Sequence, residues 1–174
     1  MDAPSGAPTP QQVDGLVALA EDLFNEAQRC ADAELWRAAI LSLGGAVEAA
    51  IVATAIRLEA RLREQGAWPR TRDPLRWSLG DATQLARNAG WLATSLTHGS
   101  DDLFAPLQGE VGDAVRFLVA IRNMLVHPGV YIREDVRPDL ADIDQMRPTY
   151  EILHGIAAQV FGRLSEALTL HPSD

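Results

Sequence analysis

Four side chains in this chain have types and positions suited to acting on a phosphodiester. Arg122, Asn123 and His127 fall within six residues, in the run RNMLVH, and Glu48 stands alone in an apolar stretch upstream. An arginine cannot lose its charge, and its planar fork of donors matches phosphate oxygens. A histidine moves protons near neutral pH. Asn123 adds an uncharged donor and acceptor beside the arginine. An arginine to hold a phosphoryl group and a histidine to shuttle a proton is a minimal kit for cleaving RNA without a metal or cofactor.

Spacing sets a geometric condition. Five residues on a regular helix separate Arg122 and His127 by about 140°. His127 precedes Pro128, and a residue before proline is pushed out of the helical region. The helix is therefore expected to unwind there and let the imidazole swing toward the arginine. The negative end of the helix favours the imidazolium, whereas the guanidinium opposes it, so titration near neutrality is expected. Glu48 needs a partner, because an unpaired buried carboxylate is costly. Arg122, the lone charge in FLVAIRNMLV, is its natural counterpart, so contact of Glu48 with Arg122 or His127 is predicted, within the chain or across a dimer. The same residues would equally make a plain ion pair that fixes helix register, with no catalysis.

The elements that must position these groups are helical. No run shows the strict alternation of a half-buried strand, and no internal repeat is present. The first ten residues, rich in Pro, Ala and Gly, read as a flexible tail. One domain is expected over 11–170, with 171–174 as a second tail. A first helix is expected over about 11–30, on the spacing of Val13, Leu16, Val17, Leu23, Phe24 and Ala27. A second begins near Asp32 as N-cap and runs to about Gln65, where Gly66 stops it, with a possible break at Gly44-Gly45. Residues 66–77 form a loop. Ser78 caps a third helix, with Asp81 in capping-box position. The loop THGSDD leads into a fourth helix over about 103–126, ended by Pro128-Gly129. VYIREDVRP is read as an extended connector. A fifth helix spans about 140–170, with Pro148 predicting a kink or split. The fold class is thus all-α, a compact four- to five-helix bundle with two long helices. Broad apolar faces on the second and fourth predict a homodimer.

Composition bounds the rest. The chain has 174 residues, 47% of them hydrophobic, as befits one globular domain. A single cysteine, Cys30, can form neither an internal disulfide nor a thiolate metal site, which points to a reducing, cytoplasmic setting. Residues 38–56 are long and apolar enough to raise the membrane question. Glu48 at their centre costs roughly 2.5–3.5 kcal/mol on insertion, so a buried core or dimer helix is expected and no membrane partner. Net charge is −9, and all fifteen basic residues are arginine. Residues 57–87 carry a net +3, which leaves −12 on the rest. Arg57, Arg61 and Arg76 in that segment are candidate RNA-binding residues, although a solvated helix end and loop explains them too. An acidic chain has no long-range help in approaching RNA, so binding should be weak and salt-sensitive. His98 is read as a cap of the fourth helix or an exposed loop residue, His154 as a packing residue and His171 as part of the tail, and Asp139, Asp142 and Asp144 as a helix start. Trp36, Trp68, Trp77 and Trp91 are read as core and interface anchors.

A helix ending in RNMLVHPG resembles the Arg-x4-6-His signature of the HEPN superfamily. The preceding order, LSLGGAVEAAI and then SLGDATQLARNAGWL, is similar to the HEPN helical bundle over roughly residues 12–168. The resemblance implies a dimer in which two such motifs face one another across a cleft. It implies a metal-independent endoribonuclease of toxin–antitoxin or other defence systems, with RNA as substrate, a cognate antitoxin as partner and a 2′,3′-cyclic phosphate product. Carried onto this chain, His127 assists proton transfer, Arg122 stabilises the transition state, and Asn123 and Glu48 orient the pair. Other members are non-catalytic modules that dimerise or bind a partner protein or nucleotide. Gly129 stands where one HEPN subgroup carries a tyrosine two residues after the histidine, with Tyr131 following later, so modification of that tyrosine is not carried over.

Overall fold

A helix that is apolar around its whole circumference must be surrounded, and that requirement organises this molecule. The computed structural model describes residues 8–69, 73–93, 111–126 and 143–170. Among them are six α-helices, a single 3-10 turn over Pro74–Arg76, and no strand. The central helix is α2, Trp36–Arg57. Its buried residues, from Ala39 and Ile40 through Val47 and Ile51 to Ala55, face every direction. It is packed on by α1 (Pro10–Asp32), α4 (Leu79–Asn88), α5 (Val111–Val126) and α6 (Ile143–Thr169), and is followed directly by the short α3 (Glu59–Glu64). By length and mean hydropathy (1.9), α2 alone among the described helices would pass as a membrane span, yet 67% of its apolar window is buried within the protein. The neighbouring helices here supply what a bilayer would otherwise supply.

Helix α1 begins inside the expected tail. Thr9 and Gln12 form a reciprocal capping box and Pro10 occupies the first turn, where its missing N–H costs nothing. Its apolar stripe is the expected one, with Val13, Ala20, Ala27 and Ala31 buried and Leu16, Val17, Leu23 and Phe24 half-buried. The expected N-cap at Asp32 is corrected. Asp32 ends α1, and Glu34 adopts a left-handed φ of 59°. The N–H of Glu34 then donates to Ala31 O, and that of Leu35 to Cys30 O, closing a Schellman motif.

The expected single helix to Gln65 is also divided, at Leu58 and not at the glycine pair. The bend keeps both Leu58 and Leu62 in the core. Gly44 and Gly45 serve close approach instead. A Cβ on Gly45 would lie 3.0 Å from Leu23 of α1, and one on Gly44 would lie 3.0 Å from the Arg122 stem of α5. Gly66 ends α3 as expected, with φ 68°. Trp68 and Trp77 pack against each other at 5.3 Å with their rings tilted by 58°, and both are buried in the core. Helix α6 runs unbroken through Pro148, because Met146, Tyr150 and Leu153 pin the buried face on both sides of the lost hydrogen bond.

Ser78 caps α4 as expected, accepting from the Asp81 N–H at 3.2 Å while the Asp81 carboxylate takes the Ser78 N–H at 3.2 Å. The α4 and α5 helices are tied by Arg87, whose stem lies over Gly112 and whose guanidinium pairs with Asp113 at 3.3 Å. The expected fourth helix is described from Val111, and THGSDD and VYIREDVRP lie outside the described residues. Because the Ser78 cap fixes where α4 starts, Ser78→Ala should lower unfolding free energy by about 1 kcal/mol, read from urea titration. A change within about 0.2 kcal/mol would show the cap to be dispensable.

Candidate functional site

Three helices converge on Glu48. It projects from the middle of α2, four residues after Gly44, so the two share one face of the helix. Gly44 opens a slot on that face into which the aliphatic stem of Arg122 settles, with Cγ at 3.0 Å and Cβ at 3.5 Å from where a Cβ would stand. The stem directs the Arg122 guanidinium along α2 to Glu48, with Nη2 3.9 Å from Oε2. The predicted contact is thus present within one chain. The third element is the N-terminus of α4, where the backbone N–H of Leu79 donates to the Glu48 carboxylate. That N–H is one of the donors a helix start leaves unsatisfied, and the positive end of the helix favours a carboxylate there.

The pair is neither sealed nor closed. Arg122 retains 29% of its side-chain exposure and Glu48 28%. At 3.9 Å the two groups attract but do not hydrogen-bond, and Glu48 Oε2 is itself buried without a hydrogen-bond partner. Burial dominates the acidity of Glu48 and raises its pKa from the ordinary 4.5, while Arg122 and the Leu79 N–H pull it down by less. Within the pair, then, the guanidinium keeps its charge and the carboxylate is the member that can lose it.

The other expected site residues are spread unevenly. Asn123 follows Arg122 on α5 and is half-buried. His127 directly follows Val126, the last described residue of α5, and lies outside the described residues. Arg76 ends the 3-10 turn three residues before Leu79, and is 85% exposed with only a loose approach to Asp73 at 3.8 Å. Arg57 lies nine residues beyond Glu48, about 14 Å along the helix. Its charge is answered by Asp14 of α1 at 3.1 Å. Arg61 sits further on, in α3, beside Trp91 and Arg163 in a separate hollow. The structure therefore joins Glu48 and Arg122, leaves Asn123 next to Arg122 on α5, and engages Arg57 and Arg61 elsewhere.

Two contributors carry no functional signal in the sequence. Gly44 reads there as a helix breaker, and the Leu79 N–H belongs to the backbone. His154 is half-buried against Phe24 at 4.8 Å and Tyr150 at 5.7 Å, and burial lowers its pKa. Trp36, Trp68, Trp77 and Trp91 all belong to the core or pack on it. His98, His171, Asp139 and Asp142 lie outside the described residues.

No protein-family model, curated protein or solved structure matches this chain. The chemistry of the site rests on its own side chains.

The direction of the Glu48 shift has a consequence for stability. The folded state holds the Glu48 proton more tightly than the unfolded chain does. Stability contributed at this position is therefore greatest below the ordinary carboxylate range and is lost as pH rises from about 4.5 through the folded midpoint. Relative to Glu48→Gln, the wild type should lose urea resistance as pH rises above the ordinary carboxylate range. In Arg122→Met the Glu48 carboxyl should titrate higher still, as read by carbon-13 NMR. An unmoved midpoint would mean that the guanidinium does not act on Glu48.

Proposed function

We propose that the chain is a metal-independent endoribonuclease of HEPN type, in which Arg122 and His127 act on an RNA phosphodiester. The observation that supports this reading best is the state of Arg122. Its guanidinium sits near the end of α5, just over one turn before His127, and is held at 3.9 Å by a carboxylate that does not clamp it. A guanidinium in that condition is available to a non-bridging phosphate oxygen. In the reaction, the 2′-hydroxyl gives up its proton and attacks phosphorus. The P–O5′ bond then breaks, the 5′ oxygen takes a proton, and a 2′,3′-cyclic phosphate remains. His127 is assigned to proton transfer, Arg122 to the charge that builds on the phosphoryl oxygens, and Asn123 and Glu48 to orientation.

The site's surroundings support a two-fold assembly. Leu41, Leu75 and Val126 are all exposed. Leu41 shares the α2 face of Glu48 seven residues away, Val126 follows Arg122 by one turn of α5, and Leu75 precedes the start of α4. These exposed apolar side chains lie on α2, α5 and the 3-10 turn that leads into α4. A second copy docking on them would set two Arg122–His127 motifs face to face. Placement in a reducing cytoplasm, beside a cognate antitoxin, belongs to this same reading.

A second reading is favoured by the Glu48–Arg122 pair taken alone. It suffices to fix the register of α5 on α2, and a non-catalytic HEPN-like module that dimerises or binds a partner protein or nucleotide would use it so.

Incubation of single-stranded RNA with the protein in EDTA at low salt separates the two. Cleavage with cyclic phosphate ends is expected, and Arg122→Ala and His127→Ala should each reduce it by about a hundredfold or more with circular dichroism unchanged. Retained cleavage in the double variant would remove the nuclease reading. An inactive wild type whose sedimentation as a dimer is lost in Val126→Glu would leave the module.

A further inference from the structure

The Glu48–Arg122 pair departs from the pattern of the other ion pairs. Arg57–Asp14, Arg147–Glu151 and Arg163–Glu166 each have at least one well-exposed member. All three nevertheless close to a hydrogen bond, at 3.1, 3.0 and 2.8 Å. Contact contributes little to pairs so exposed. Glu48 and Arg122 are both largely shielded and would gain more from contact, yet they stand 3.9 Å apart. The pair with the most to gain is left open.

Both sides of the gap are fixed by the fold. The Arg122 stem is seated over Gly44, which limits how far its guanidinium reaches. Glu48 is tethered from the other side by the Leu79 N–H. Oε2, the oxygen nearest Arg122, is buried without a hydrogen-bond partner. The carboxylate is thus desolvated without the donors that ordinarily hold its charge, and it leans on the guanidinium to stay ionised. Around it, α5 supplies the Arg122 charge and α4 the Leu79 N–H, and no charge from α1 or α6 joins these influences. Asp81, in the first turn of α4, is taken up by the Ser78 N–H and hydroxyl. One guanidinium keeps Glu48 charged, and 29% of that arginine side chain is open to solvent.

We propose that a phosphodiester oxyanion, on binding Arg122, drives one proton from solvent onto Glu48, an inference that rests on the assignment of Arg122 to phosphoryl oxygens. Before the anion binds, the carboxylate holds the guanidinium in register. The arriving anion shares the charge of the guanidinium and repels the carboxylate, and burial then favours the neutral acid. An O–H bond forms on Glu48, the proton comes from water or buffer, and no other bond changes. Anion binding therefore strengthens as pH falls, by at most tenfold per unit of pH for one proton. It levels off once Glu48 is protonated before binding as well. At high pH the carboxylate keeps its charge and competes for Arg122.

Calorimetric titration of the full chain with sodium sulfate, repeated in buffers of different ionisation enthalpy, counts the protons. Sulfate has no proton of its own to exchange near neutral pH, and a His127→Ala background removes the neighbouring imidazole from the count. In that background, saturable binding is expected with uptake of up to one proton per sulfate. Affinity should rise as pH is lowered toward the ordinary carboxylate range. Adding Glu48→Gln should abolish both the uptake and the pH dependence, and should tighten sulfate about tenfold well above that range. Arg122→Met should abolish binding. Sulfate bound without proton uptake overturns the proposal, and this count needs no change at Glu48. Uptake that survives Glu48→Gln, binding that survives Arg122→Met, or no saturable binding overturns it equally. RNA cleavage in EDTA is read separately. Cleavage without proton uptake removes this coupling alone, whereas uptake without cleavage supports the coupling and removes the nuclease reading.

Discussion

The structure depends on one constraint, the burial of α2. Its residues Ile40, Leu43, Val47 and Ile51 are completely buried, and no single neighbour can cover a helix that is apolar on every side. Burying apolar surface contributes about 25 cal/mol per Å², so α1, α4, α5 and α6 are each held by their share of it. Into that surface the sequence sets one carboxylate. Its desolvation works against the fold, and the cost falls only if a cation and a donor are brought to it. Arg122 from α5 and the Leu79 N–H from α4 are those two groups. The candidate site is in this sense a by-product of where α4 and α5 must lie to cover α2 and answer Glu48.

Close packing and the site use the same device. Gly44 and Gly45 are adjacent, about 100° apart on the helix, so one admits the Arg122 stem while the other admits Leu23. In isolation two glycines weaken a helix by roughly 1 kcal/mol each against alanine. Here the absent methyls let two neighbouring helices approach, and the closer packing offsets that weakness. Arg87 over Gly112 repeats the arrangement between α4 and α5. A long cationic side chain laid along a glycine buries its methylenes while its head stays partly in water.

What the sequence discloses follows the range of the forces involved. The α1 stripe, the Ser78–Asp81 cap and the Gly66 stop depend on residues within a turn or two, and they are legible. The Glu48–Arg122 contact is legible for a different reason: each is the lone charge of an apolar run, and only the other can relieve it. The stop at Asp32 is hidden because the left-handed residue is Glu34, where the usual glycine signal is missing. The bend at Leu58 falls on a good helix former and is imposed by core positions that sequence does not locate. Arg57 counts as a free positive charge along the chain, yet Asp14, 43 residues away, answers it. The Leu79 donor requires knowing where α4 lands. Local chemistry is written in the sequence, whereas long-range placement is written only in the fold.

The acidic balance of the chain bears on the nuclease reading less than it first suggests. Repulsion of a polyanion is a long-range effect, screened over about 8 Å at physiological salt, and it slows approach without deciding what happens at contact. At contact the local signs rule, and there Arg122 is matched by a single carboxylate. Burial already makes that carboxylate hold its proton more tightly than an ordinary one. A phosphate drawn to Arg122 would add a second negative charge beside Glu48 and push its pKa further up. Proton uptake by Glu48 would then release the guanidinium from its internal partner to the phosphate. The incoming anion would replace the carboxylate's charge, and the net charge at the guanidinium would stay nearly constant. A site arranged this way can hold its arginine in register when empty and yield it when occupied. For that exchange the 3.9 Å separation is better suited than a tight bidentate pair.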